Sequence, residues 1–146
     1  MQKLLVINGP NLNMLGIREP EIYGRQDYNA LCRFITESAK ARLFEAELFQ
    51  SNHEGDIIDK IQSAYGTFDG IVINPGGFSH TSIAIADAIR AVGIPTVEVH
   101  LSDIYSREPY RRVTVTGDAC QKIICGRGFD GYADAMDIIK EILCRE

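Results

Sequence analysis

Three stretches of the chain gather the side chains that could move protons or hold an anion. The first, "INGPNLNMLGIREPEIYG" from Ile7 to Gly24, carries Asn8, Asn11, Arg18 and Tyr23. The second, "NPGGFSHTS", carries Asn74, His80 and Ser82, and the third, "EVHLSDIYSREPYRR", carries Glu98, His100, Ser102, Arg107 and Arg111. Glu98 and His100 are two residues apart, so on a strand they share a face. A carboxylate there orients the imidazole and favours its protonated form, and a solvated pair at a strand end is the alternative. Arg107, Arg111 and Arg112 read as a solvated charge run unless they border a site. In that case guanidinium geometry suits a carboxylate or a phosphate, and the sequence leaves both open. An ordinary Tyr, with a pKa of about 10, is ionised in about one molecule in a thousand at neutral pH. Beside Arg18 that fraction rises, which would make Tyr23 a base; a ring packed under its own loop is the other reading.

Several motifs suggest chemistry that the rest of the chain does not support. "GRGFDG" from Gly126 to Gly131 spells a dinucleotide fingerprint. It lacks the further strand and the acidic residue about 20 positions on that would bind a ribose, so it predicts a tight strand-to-helix turn. Ser79, His80, Ser82 and Asp87 have no G-x-S-x-G elbow around them. The histidines lack ligand-spaced partners such as H-E-x-x-H, so no metal is expected. His53 has no acid–base neighbour and reads as a surface or packing residue.

The elements that must position these groups alternate. Apolar runs at Lys3–Asn8, Ala46–Ser51, Gly70–Asn74, Thr96–His100 and Lys122–Cys125 predict strands, and helix-period segments fill the gaps. Asp27 is placed to cap a helix bearing Leu31, Ile35 and Ala39. Ile57, Ile58, Ile61, Ala64 and Tyr65 form a second stripe, and Tyr132, Ala135, Met136, Ile139, Ile142 and Leu143 a third. The helix from about Ser82 to Ala91 carries Ile85, Ala88, Ile89 and Val92 on one face and Ile83, Ala86, Asp87 and Arg90 on the other. Apolar residues on both faces predict either an oligomer surface or a crowded core. Five strands with helical crossovers predict an α/β fold, an open doubly wound, flavodoxin-like parallel sheet with helices on both faces. Ligands bind such sheets outside the carboxyl ends of the strands, where the three polar clusters fall.

Composition narrows the classes. The 146 residues, 45% of them hydrophobic, suit one domain over 1–146 with one core. A net charge of −5 argues against nucleic acid or an anionic lipid surface as partner. The apolar run Leu4–Ile7 is far shorter than a secretory or membrane-spanning segment, so a cytoplasmic location is expected. Cys32, Cys120, Cys125 and Cys144 are scattered and without a CxxC, as expected of reduced packing residues.

"NGPNLNMLGIREPEIYG", "NPGGFSHTSIAIADAI", "EVHLSDIYSREPYRR" and "GRGFDGY" together, in order and spacing, resemble type II dehydroquinases over nearly the whole chain. The resemblance implies trans-dehydration of 3-dehydroquinate to 3-dehydroshikimate in the shikimate pathway, through an enolate and without metal, cofactor or Schiff base. It makes Tyr23 the base and Arg18 the lid arginine that activates it. Asn11 would hold a water against the enolate oxygen, and His100, oriented by Glu98, would protonate the leaving hydroxyl. Asn74 and the backbone of Leu101 and Ser102 would cradle the substrate carboxylate. His80 and Arg111 would contact ring hydroxyls, Arg107 would assist Tyr23 from the rim, and Asp87 would reach a neighbouring subunit's site in a dodecamer built from trimers. Pro109 and Tyr110 depart from the acidic residue and Phe usual for the family, and Thr114 from its usual Ser, while the matched Arg107 and Arg111 stay in place. A non-catalytic flavodoxin-like module that binds a carboxylate or phosphate through the same arginines is the competing class.

Overall fold

The computed structural model describes residues 1–17 and 26–145; Arg18 and Tyr23 lie outside the described residues. Five strands, β1 (Gln2–Asn8), β2 (Phe44–Gln50), β3 (Gly70–Asn74), β4 (Thr96–His100) and β5 (Lys122–Cys125), form one all-parallel sheet in the order β2-β1-β3-β4-β5. Helices α1 (Tyr28–Ala41), α2 (Glu54–Ser63), α3 (Ile83–Val92) and α4 (Asp130–Cys144) provide the crossovers. This is the flavodoxin-like arrangement. β1 and β3 are buried along most of their length between two helical layers, which is why they read as continuous Val/Ile/Leu runs rather than alternating ones.

Alternate residues of the strands feed the two layers. Leu4, Val6, Val72, Val97 and Val99 pack with Leu31 and Ile35 of α1 and with Tyr132, Met136 and Ile139 of α4. Leu5, Ile7, Ile71 and Ile73 pack with Ile57 and Ile61 of α2 and with Ile85 and Ile89 of α3. Val97 and Val99 thus assign Glu98 and His100 to the opposite face, toward α3, by the two-residue period of a strand. The helices begin where local chemistry can satisfy their free amides. Asp27 Oδ1 accepts from the Ala30 N–H at 2.8 Å, and Ser82 Oγ from the Ile85 N–H at 3.0 Å.

Three details differ from the sequence reading. β2 begins at Phe44 and ends at Gln50, because Phe44 is buried opposite Gln2, while Ser51 leaves the strand to accept from the His53 N–H at 2.9 Å. α2 ends at Ser63, so Tyr65 lies past the helix and is exposed rather than part of its stripe. Ala86 is fully buried; the outer face of α3 is Ile83, Ala84, Asp87 and Arg90. His53 is exposed, as is Cys144, whereas the other three cysteines are half-buried. Lys122 begins the edge strand β5, with Gln121 just before it, consistent with the polarity of both. Among the described residues no helix is long and apolar enough to cross a membrane.

Candidate active site

At the carboxyl end of the sheet a cleft of about 150 Å³ opens between the loops that follow β1, β3 and β4. Asn11, Asn74, His80, His100, Leu101, Ser102, Arg107 and Arg111 all line it, together with Leu12, Leu15, Gly76 and Ile104. The loops after β1 and β3 touch because two positions lack a side chain. A Cβ on Gly9 would lie 2.7 Å from the Pro75 carbonyl, and Gly76, at φ +59°, would bring one within 2.9 Å of the Pro10 oxygen. The Gly9 N–H donates to the Asn74 carbonyl at 2.7 Å and completes the join.

Asn11 sits in the left-handed region at φ 72°, a conformation that Asn tolerates better than most residues. Its N–H donates to Asn52 Oδ1 at 3.0 Å. Gln50 Nε2 braces the same loop by donating to the Gly9 carbonyl at 3.2 Å and to Asn52 Oδ1 at 3.2 Å. Gln50 and Asn52 were missed in the sequence because their partners lie about 40 positions away; the polar end of β2 was the only available signal.

On β4, His100 Nε2 donates to Glu98 Oε2 at 2.8 Å, with the Glu98 side chain fully buried and that of His100 nearly so. A buried carboxylate is tolerated only when its lone pairs are filled. Thr114 Oγ1 donates to Oε2 at 2.6 Å, and Thr116 Oγ1 donates to Oε1 in a short contact. Neither threonine had been singled out as part of the site, although Thr114 was noted as a departure. The Thr114 position keeps a hydroxyl when Ser becomes Thr, which is the property that Glu98 uses.

The segment that carries these threonines also fixes His80. The Val113 carbonyl lies 2.8 Å from His80 Nδ1, so that nitrogen carries the proton, and the His80 ring stacks on that of His100 at a centroid distance of 6.2 Å. The Val115 N–H donates to the Ser79 carbonyl at 2.7 Å, which ties the arginine loop to the loop after β3.

Arg107 Nη1 donates to Ser102 Oγ at 3.3 Å. Arg111 Nε donates to Glu108 Oε2 at 2.7 Å. The backbone N–H of Glu108 and the Arg111 guanidinium hold the Glu108 carboxyl below the usual range, so it is ionised and available to steady that arginine. Pro109 starts a single 3-10 turn through Arg111, a role its fixed φ suits. The departure at Pro109 and Tyr110 therefore leaves both arginines on the cleft.

The GRGFDG segment is the tight turn expected, with Gly126 at φ +78° and Gly128 at φ +55°. The N–H groups of Gly126 and Gly128 donate to the carbonyls of Ser102 and Leu101, each at 3.0 Å. A trans peptide directs its N–H opposite its carbonyl, so the bond to the Leu101 carbonyl turns the Ser102 N–H away from the glycine turn.

Asn74 is buried at the end of β3. Its Oδ1 accepts from the Gly76 N–H at 3.2 Å and its Nδ2 donates to the Tyr132 hydroxyl at 3.1 Å. Asp87 does not line this cleft. It lies exposed on the outer face of α3, 3.6 Å from Arg90. The arrangement offers a buried imidazole with a carboxylate partner, two guanidinium groups and several amide donors around one small cavity, a set suited to proton transfer on a polar anion.

Comparison with known proteins converges on one group. The family model described as dehydroquinase class II matches residues 2–140. The 3-dehydroquinate dehydratase of Clostridium acetobutylicum is 54% identical over 143 residues, covering 98% of this chain and 99% of that protein. The crystal structure of a type II dehydroquinase from Butyrivibrio crossotus superposes with a TM-score of 0.92 at 51% identity, over 94% of this chain and 97% of the other. One from Propionibacterium acnes gives 0.92 at 35% identity, over 97% of each.

Proposed function

Because the chain belongs to the class II dehydroquinase family, we propose that its cleft performs the dehydration of 3-dehydroquinate to 3-dehydroshikimate, a hydro-lyase step of the shikimate pathway. The observation that carries this reading is the buried Glu98–His100 pair facing a cavity rimmed by Asn74, His80, Arg107 and Arg111.

The reaction removes a proton from the carbon beside a ketone and a hydroxyl from the next carbon, so it needs a base, a stabiliser of the enolate oxygen and an acid. Tyr23 serves as the base in its tyrosinate form, with Arg18 and Arg107 lowering the cost of that charge. Asn11 holds a water against the enolate oxygen. His100 gives its proton to the departing hydroxyl, which leaves as water, and Glu98 keeps the imidazole aligned beforehand. Asn74 and the backbone of Leu101 and Ser102 hold the carboxylate, while His80 and Arg111 hold ring hydroxyls. Lys3, Lys40, Lys60, Lys122 and Lys140 are absent from the residues that line the cleft, which favours the enolate over an imine route.

The same reading takes residues 1–146 as one cytoplasmic domain that assembles as trimers gathered into a dodecamer, with Asp87 beside a neighbouring copy's cleft. The exposed Ile83, Asp87 and Arg90 on α3 support that surface. The test is direct: purified protein is mixed with 3-dehydroquinate and the rise of the conjugated enone absorbance is followed. Binding of the substrate by calorimetry without any enone would make the protein a ligand-binding module instead.

A further inference from the structure

Two buried side chains outside the cleft, Asn8 and Tyr132, form a continuous hydrogen-bonded line with Asn74. Tyr132 is fully buried under the sheet on α4, and its hydroxyl donates to Asn8 Oδ1 at 2.6 Å while accepting from Asn74 Nδ2 at 3.1 Å. We propose that Asn8 and Tyr132 are positioning residues that fix the flip of the Asn74 amide, so that the cleft presents an N–H rather than a carbonyl oxygen to the substrate carboxylate. This inference rests on the reading of Asn74 as part of the carboxylate cradle.

Hydrogen-bond polarity sets the direction of this line. An amide side chain has two donors on nitrogen and an acceptor oxygen, and its two flips differ only in which end faces which neighbour. The single hydroxyl proton of Tyr132 is committed to Asn8, so its oxygen can only accept, and the Asn74 atom facing it must be nitrogen. Taken alone this line could run the other way, with Asn8 donating to Tyr132 and Tyr132 donating to Asn74. The Gly76 N–H on Asn74 Oδ1 at 3.2 Å breaks the tie, because a reversed line would set two N–H groups against each other. A backbone donor whose place is fixed by the fold therefore sets the direction of the whole line. Nδ2 spends one N–H on Tyr132 and keeps the second for the cavity that Asn74 lines. Burial pushes the Tyr132 hydroxyl well above the ordinary tyrosine range, so it keeps its proton and its polarity at working pH.

The test is a double-mutant cycle on the intact protein with 3-dehydroquinate as substrate, using Tyr132→Phe, Asn8→Ala, Asn74→Ala and each pair with Asn74→Ala. Tyr132→Phe should raise KM about tenfold, the equivalent of one hydrogen bond to a charged acceptor, with kcat changed by less than about twofold. Asn8→Ala should act in the same direction, since it frees the Tyr132 proton to turn toward Asn74. Both effects should vanish when Asn74 is already alanine. Effects that multiply with that of Asn74→Ala, or that fall on kcat alone, would overturn the relay. Loss of the fold in both Tyr132→Phe and Asn8→Ala would overturn it equally, by showing a purely structural role. If Asn74→Ala leaves KM unchanged, the cradle reading of Asn74 is wrong and the relay goes with it. If the unmodified protein shows no turnover, the dehydratase reading itself fails.

Discussion

Thr116→Val is the substitution that most sharply separates burial from chemistry in this site. Valine matches threonine in shape, so the change deletes one hydroxyl from a fully buried position and little else. That hydroxyl donates to Oε1 of a carboxylate that is itself fully buried. A hydrogen bond to a charged group contributes about 1.5–3 kcal/mol, and its loss leaves a lone pair of Glu98 without that donor in a low-dielectric setting. For a chain of this length about 2 kcal/mol lowers the melting temperature by roughly 4–8 °C. Activity should fall too, because Glu98 loosened from Oε1 holds His100 less firmly; a loss of about tenfold in kcat corresponds to about 1.4 kcal/mol of misalignment. Thermal melts at one fixed protein concentration, paired with the enone absorbance assay, read both effects. Thr116→Ser restores the hydroxyl and should recover most of each. A valine variant as stable and as active as the parent would show that Glu98 does not depend on this hydroxyl, and the account of how its charge is tolerated would be wrong.

Tyr23→Phe should keep the melting temperature and substrate binding while losing nearly all turnover, checked by calorimetry beside the absorbance assay; near-normal rates would exclude Tyr23 as the base. Gly117→Ala should destabilise by about 1–3 kcal/mol in urea melts, since a Cβ there would stand 2.8 Å from Thr114 Oγ1 and collide with Ile123 Cδ1. Unchanged stability would mean that the segment yields freely. Asp87→Ala should raise KM and shift the light-scattering mass toward smaller species, with each subunit still folded; a parent protein that is monomeric and fully active would rule out a shared site.

The sequence reveals those features whose cause is local. Asp27 and Ser82 announce their helices because a cap needs only the next three residues, and Glu98 and His100 share a face because a strand alternates. The position of the cleft followed from topology, since parallel strands bring their carboxyl ends to one rim. What stayed hidden depends on distant approach. Thr114 and Thr116 are 16 and 18 positions from Glu98, and Gln50 is 41 from Gly9. A hydroxyl or amide in such a place looks like any polar loop residue until the fold brings its partner near. Tyr65 and Ala86 show the converse error. Periodicity assigned Tyr65 to a helix that stops before it and placed Ala86 outward, whereas α3 packs closely enough to bury a small side chain on its flank.

The contact between Tyr132 and Asn8 joins residues 124 positions apart, and it bears on the order in which the protein is made. Strand β1 with the loop that holds Asn11, and strands β3 and β4, which end at Asn74 and His100, leave the ribosome well before α4. Until α4 has emerged and docked, the floor beneath Asn74 is missing. The nascent chain thus contains the cleft-lining residues of these strands before it contains the residue that aligns its anion-facing amide. A chain interrupted before Tyr132 would carry all five strands but lack the helix that covers Val72, Val97 and Val99.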